Sequence, residues 1–411
     1  LGIYSEYLDQ QQKQQLDLMA ERKKQLRRIA KLRARDVLVY ASDSNKARQG
    51  APVAIDNSDL MPVIDQVSNL KGDAIDVVLM TGGGSGEAAE DIVRFLYDRY
   101  RSVAFIIPCV AKSAGTIMAM AGDEILMESS SSLGPIDAQI LWEGKVFSAE
   151  AFLKGLQSIK DEASASNSLN RAYIPILQRI SPGEIQSAQN ALSFAKVLVT
   201  KWLKEHKFKN WGVHRTHSPG TPVTENEKED RAKEIADKLC DHSTWLSHGR
   251  SIKIPDLQGI GLEIMDYSKQ EELADAIRRY NVLLQMTFDQ TGIYKLIETP
   301  DSQINRFAGQ MVMPMGGPFP QPSPVPGKPP GIQPGQPMPG FLGGAIFNFK
   351  CPKCQTVHLL QADLDQQKPL QPSMKRFPSN DVLVCEKCHT AHTLTALRKQ
   401  LEAQTGRKVA L

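Results

Sequence analysis

Between Asp36 and Met127 the chain switches repeatedly between short apolar runs and longer amphipathic stretches, and no other feature restricts its fold as much. VLVYAS (37–42), IDVVLMT (75–81), VAFIIP (103–108) and EILM (124–127) read as strands. DLMPVIDQVSNL (59–70), EAAEDIVRFLYDRY (87–100) and AGTIMAMAG (114–122) read as helices. Such alternation is the signature of an α/β core, in which active groups gather at the carboxyl ends of the strands.

Further helices are expected over 148–207, restarted at Ser181-Pro182-Gly183, and over 225–240 and 270–290. The stretch 314–339, PMGGPFPQPSPVPGKPPGIQPGQPMP, cannot bury a core and reads as an extended linker. The expected organisation is an N-terminal helix (1–35), an α/β domain (36–300), a Pro/Gly-rich linker (301–345), a small C-terminal module (346–395) and a tail (396–411). A chain of 411 residues with 41% apolar side chains can fill two or three such units. No internal repeat stands out at a fixed period.

The longest apolar window, Val103 to Ala111, falls short of the ~18 residues of a spanning helix, and the first residues lack the apolar block of a signal peptide. The expectation is a cytoplasmic protein, at most peripheral to a membrane. Its formal net charge of +3 hides an asymmetry: ERKKQLRRIAKLRAR (21–35) carries eight basic side chains against one acid. This stretch suits a solvated helix or coiled-coil arm that helps oligomerise, or a basic amphipathic surface for anionic lipid or nucleic acid. Nothing in the helix chooses between them.

Two motifs carry chemistry. In LMTGGGSGE (79–87), glycines between a strand and a helix allow a tight turn with amide N–H groups free to face a ligand. The motif lacks the Lys-Ser/Thr ending of a phosphate loop, so a nucleotide reading is weak. In CVAKSAGT (109–116), Ser113 opens a small-residue helix at the end of the next strand. Alone it reads as an N-cap. Paired with the glycine loop it reads as a nucleophile, because the helix N-terminus and the Ala114 amide would stabilise developing negative charge.

The order strand, TGGGSG, helix, strand, AKSAGT, helix, GDEILMESSSSLGPIDAQ resembles the serine dehydrogenase proteinases, a group with a ClpP/crotonase-like spiral core that also resembles signal peptide peptidase A. The resemblance implies a serine peptidase working through an acyl-enzyme on Ser113, with oxyanion donors from Gly83, Gly84 and Ala114. It implies homo-oligomers and peptide or protein substrates, some of them hydrophobic or membrane-derived. Gly82 stands where the usual loop has proline, and Asp137 stands where ClpP carries its histidine. Ser, Asp and His in that chain order would make Asp137 orient a later histidine. The choices are His206, His214, His217, His242 and His248; His248 is preferred for its Ser-His context and His242 comes next. The signal peptide peptidase A arrangement would instead use a lysine, Lys154 or Lys160, although Asp161 and Glu162 flank the latter and oppose its deprotonation. Lys112 is expected to face substrate or solvent. Rival readings are a crotonase-type acyl-CoA enzyme and an inactive oligomeric scaffold.

Near the C-terminus, Cys351, Cys354, Cys385 and Cys388 form two C-x-x-C knuckles set in strand-like runs, the pattern of a zinc ribbon. Four thiolates close the coordination sphere, so the expected zinc is structural, and the module's partner would be protein or nucleic acid. His358, His389 and His392 are expected to be exposed, and Cys109 and Cys240 to stand singly.

Overall fold

A computed structural model describes residues 2–142, 145–214, 218–307, 344–354, 356–363, 375–395, 397–399, 402 and 408–409. The Pro-rich stretch 314–339 and His217 lie outside the described residues. The chain divides into two compact units, Leu1–Pro314 and Met315–Leu411.

In the first unit, strands β1 (Asp36–Ser42), β2 (Ala74–Met80), β3 (Ser102–Ile106), β4 (Glu124–Met127) and β5 (Met265–Asp266) pair in parallel. Strands β6 (Ile293–Glu298) and β7 (Gln303–Phe307) add antiparallel pairings beyond β1, giving the order β7-β6-β1-β2-β3-β4-β5. The central strands bury both faces, hence their nearly unbroken apolar runs. Leu38, Tyr40, Val77, Leu79 and Phe105 pack with the core formed on one side by helices α3 (Leu60–Val67), α4 (Gly86–Arg99) and α5 (Ala114–Met120). Val37, Val39, Val78, Met80 and Ile106 pack with Leu26, Ile29 and Tyr280 on the other. The result is a helix–sheet–helix sandwich.

The N-terminal segment departs from expectation. Instead of one helix there are two, α1 (Ile3–Gln12) and α2 (Leu18–Arg33), separated where Gln14 turns left-handed and Asp17 caps the Ala20 amide. The basic run is not a free surface. Arg22 and Lys23 reach the buried Glu298, Arg33 and Arg35 reach the buried Asp76, and Lys24, Arg27 and Arg28 pair with Glu21, Asp301 and Asp275. Seven of the eight cations are thus held in ion pairs within the unit, which removes most of the charge that lipid or nucleic acid would need. Among the described residues no helix is long and apolar enough to cross a membrane.

Between Ser148 and His242 the chain leaves the sheet as helices Ala149–Ser166, Pro182–Trp202 and Glu225–Cys240. The second is started by the Ser181/Glu184 capping box that the sequence signals. The excursion closes where it began: the His242 amide donates to the Glu150 carboxylate at 2.6 Å. A cavity of about 550 Å³ lies between these helices, lined by Leu153, Leu192, Cys240 and Asp241 among others.

The second unit contains two hairpins. Strands Gly344–Lys350 and Val357–Asp363 pair antiparallel around one knuckle, and Val382–Val384 and Ala391–Thr393 around the other. Leu360, Phe377, Leu383 and Leu394 form its small apolar core.

Candidate active site

Ser113 sits at the N-cap position of α5 with φ 50° and ψ −118°, a backbone state that side chains enter only under local constraint. The constraint is visible. The Lys112 amide donates to Thr81 O at 3.0 Å, the Gly115 amide to Lys112 O at 2.8 Å, and the Thr116 hydroxyl to Ala111 O at 2.8 Å. The Ser113 side chain makes no capping hydrogen bond, so the plain N-cap reading does not describe it.

The glycine loop packs directly on this turn. A Cβ on Gly83, at φ +106°, would stand 2.7 Å from Ser113 Cβ and 2.8 Å from Lys112 O, so only glycine permits the approach. A Cβ on Gly84 would meet Ile55 N at 2.3 Å, because residue 55 runs alongside the loop. The Ile55 amide donates to Gly83 O and the Ser85 amide to Ile55 O, each at 2.9 Å. One expectation changes here: the Gly83 amide donates to the buried Thr81 hydroxyl at 3.1 Å and is thereby engaged. The Gly84 amide takes no part in the Ile55 pairing, and the Ala114 amide is the first of α5, where helix geometry offers it no partner.

A small second sheet leads toward Asp137 and the two histidines beside it. Val110–Ala111 pairs in parallel with Ser132–Leu133, and Leu133 forms an antiparallel bridge with Ile252. From this bridge one segment runs on to Asp137 and the other leads back to the turn that carries His248. His248 Nδ1 lies 2.6 Å from Asp137 Oδ1. His242 Nδ1 lies 2.8 Å from Asp137 Oδ2, which also accepts from Gln139 Nε2 at 2.9 Å. The Asp137 carboxylate is fully buried. Burial alone would raise its pKa, but its bonds to His248 and His242 outweigh this and hold it below the usual carboxylate value. Both imidazoles are about one-third exposed, so each keeps an open edge. Among the described residues no hydrogen bond joins the Ser113 hydroxyl to either ring.

Lys112 is half-buried, and its side chain is engaged by the protein. Its ammonium donates to Leu133 O and Arg250 O, each at 2.9 Å, and to Ser251 Oγ at 3.1 Å. It thereby fastens the Ser113 turn to the strand leading to Asp137 and to the loop carrying His248. Partial burial, with Lys253 nearby, lowers its pKa to about 8. The lysine-dyad candidates are placed elsewhere: Lys154 is paired with Glu150 at 2.5 Å, which raises its pKa, and Lys160 is exposed on its helix. His206 stacks on Tyr97, and burial lowers its pKa to about 4. His214 pairs with Glu227. The contact of Lys112 with Arg250 had no readable local signal, because it joins residues more than 100 positions apart, and His242, the second choice among the histidines, is brought to Asp137 across a similar separation.

In the second unit the sulphurs of Cys351, Cys354, Cys385 and Cys388 lie within 4.8 Å of one another. Cys351 and Cys388 are 3.6 Å apart, Cys354 and Cys385 3.4 Å. A tetrahedral zinc with sulphur ligands requires about 3.8 Å between sulphurs, so the cluster fits with a small expansion. The expectation that its histidines are exposed fails for two of the three. His358 is buried with Nε2 3.3 Å from Cys385 Sγ, and His392 Nε2 lies 3.2 Å from Cys351 Sγ; His389 is exposed. The cause is an internal repeat that a fixed-period search passes over: CPKCQTVH (351–358) and CEKCHTAH (385–392) share C-x-K-C-x-T-x-H. Cys109 and Cys240 are free thiols, and burial pushes Cys240 up to about 12.

Residues 4–178 match the family model of ClpP-like SDH-type serine proteinases. The match includes the glycine loop, Ser113 and Asp137 and ends before His242 and His248. Two uncharacterized proteins of Methanocaldococcus jannaschii are similar. MJ1495 is 27% identical over 46% of this chain and 51% of its own length, and MJ0137 is 25% identical over 57% and 67%. The chain thus spans about half the length of the first and two thirds of the second. Among solved structures, two mutants of the 1510-N membrane-bound stomatin-specific protease are 14% identical with TM-scores of 0.30. They cover 54% and 66% of this chain and 79% and 84% of their own, the second in complex with a substrate peptide; a likeness this weak transfers nothing to the present chain.

Proposed function

We propose that this chain, whose residues 4–178 match the family model of ClpP-like SDH-type serine proteinases, is a peptidase with Ser113 as nucleophile, His248 as general base and Asp137 as its orienting carboxylate. The observation that carries the reading is the Asp137–His248 pair at 2.6 Å, tied to the Ser113 turn through Lys112 and the Leu133–Ile252 bridge. With Nδ1–H donated to Asp137, the His248 ring presents Nε2 as an acceptor, the tautomer that can take a hydroxyl proton. Ser113 Oγ then bonds to the peptide carbonyl carbon as its proton passes to Nε2. The amides of Ala114 and Gly84 hold the oxyanion, and the proton returns to the departing amine as the C–N bond breaks. Water hydrolyses the acyl-enzyme by the same route. Gly83 serves through its missing side chain, which lets the loop approach Ser113.

The substrate is a peptide or protein, with hydrophobic and membrane-derived segments as the first class to examine, and the working form is a homo-oligomer. The second unit is a zinc ribbon, in which Cys351, Cys354, Cys385 and Cys388 hold a structural zinc whose binding energy folds the two hairpins. A fluorophosphonate probe tests the enzyme reading without a known substrate. Wild type should label and Ser113→Ala should not; labelling that survives in Ser113→Ala, or is absent from the native oligomer of the wild type, refutes it and favours a non-peptidase use of the fold.

A further inference from the structure

Among the described residues each of the four sulphurs of the second unit has one side-chain partner besides a neighbouring sulphur, and these partners follow the internal repeat. The first cysteine of each knuckle faces the histidine of the opposite knuckle: Cys351 with His392 at 3.2 Å, Cys385 with His358 at 3.3 Å. The second faces its own knuckle's threonine: Cys354 with the Thr356 hydroxyl at 3.2 Å, Cys388 with the Thr390 hydroxyl at 3.4 Å. Among the described residues the group of mutually adjacent ligand atoms holds the four sulphurs alone, so the imidazoles stand behind the sulphurs and not among the ligands. His358 is buried, and the His392 ring lies against Phe349 with centroids 5.2 Å apart, so both are held in place by packing.

We propose that His358 and His392 are positioning residues of the metal site, each donating its Nε2–H to a thiolate of the opposite knuckle. This rests on the zinc-ribbon reading above. Four thiolates around a dication leave a net charge of about −2 in a unit too small to screen it with a large core. The two imidazole donors, one on the first cysteine of each knuckle, offset part of that charge and weaken those thiolates as nucleophiles. The crossed pattern also ties the hairpins to each other at two points besides the metal. The site is thereby an inert clasp and not a reactive thiolate centre.

The test uses the full chain with zinc and cobalt(II) as probes. His358→Ala and His392→Ala should each weaken zinc binding about 10-fold or more in competition with a chelator, and should speed alkylation of the zinc-loaded cysteines by iodoacetamide. In the cobalt-loaded protein the sulphur-to-metal charge-transfer bands should shift while the tetrahedral d–d bands persist. His→Gln variants, which restore an N–H donor, should recover part of both losses. Unchanged affinity and unchanged charge-transfer bands in both alanine variants overturn the proposal. Should alanine abolish cobalt binding altogether, the glutamine variants decide: recovery supports hydrogen bonding, and equal loss overturns it in favour of ring packing alone. A wild-type chain that binds neither metal refutes the zinc-ribbon reading itself, an outcome distinct from both.

Discussion

Replacing Asp137 by asparagine tests the proposed machinery with minimal change of shape. The carboxylate is fully buried and accepts from His248 Nδ1 at 2.6 Å on one oxygen and from His242 Nδ1 at 2.8 Å on the other. Asparagine can present only one acceptor oxygen; its NH₂ must face one of the rings and convert that Nδ1 into an acceptor. If the NH₂ faces His248, its proton moves to Nε2 and the ring cannot take the serine proton. Loss of the charge-assisted bond alone accounts for about 1.5–3 kcal/mol. In a serine triad the wrong tautomer lowers turnover by about 10⁴, or roughly 5.5 kcal/mol of barrier. The second-order rate of fluorophosphonate labelling at Ser113 is therefore expected to fall by between ~10- and ~10⁴-fold, according to which ring the amide faces. His242→Asn in the same background separates the cases: with the competing ring gone, the asparagine oxygen is free to face His248, and part of the rate should return. Labelling of Asp137→Asn within about threefold of wild type, in a protein whose Ser113→Ala variant is silent, would refute the Asp–His reasoning and direct the search to another base.

Three further outcomes are expected. Gly83→Ala forces a Cβ to within 2.8 Å of Lys112 O and Ser113 Cβ at a left-handed φ, so it should lower stability by about 1–3 kcal/mol in urea unfolding and suppress labelling of the folded fraction. Lys112→Met should slow labelling by releasing the 250–251 segment. It should also remove a pH effect: burial sets the folded pKa of Lys112 near 8 against about 10.4 unfolded, so the unfolded chain holds more protons in that window and wild-type stability should rise with pH across it, while the methionine variant should not show this rise. Lys295→Met removes the cation that meets the fully buried Asp59 at 2.8 Å; Arg306 at 3.0 Å and the Tyr40 hydroxyl at 2.7 Å remain, which places the expected loss at the low end of the range for a broken buried pair, about 3 kcal/mol by denaturant titration.

The parts of this molecule legible in its sequence are those encoded locally. The four parallel strands from Val37 to Met127 and the helices between them appear where the hydrophobic period changes, because each buries its own apolar face. The glycine loop and Ser113 were legible because tight turns and close approach demand particular residue types. His248 could be singled out only with the help of a family resemblance; its contact with Asp137 joins residues 111 positions apart, which no local pattern encodes. The basic run at 21–35 misled for a related reason: its partners Glu298, Asp76, Asp275 and Asp301 are scattered through the chain, so its charge looked unpaired. The two short antiparallel strands closing the sheet past β1 likewise become strands through pairing.

The bond from the His242 amide to Glu150 has a consequence for how such a protein can diversify. A segment of about ninety residues, most of them helical, departs from and returns to one point beside the Asp137 carboxylate, whereas the Ser113 turn, the segment leading to Asp137 and the His248 loop are fastened to each other without it. Its helices are seated on the main core through Leu198, Val199, Trp202, Ile235 and Leu239, so only changes confined to its outer residues would leave the Ser113 turn, Asp137 and His248 where they are.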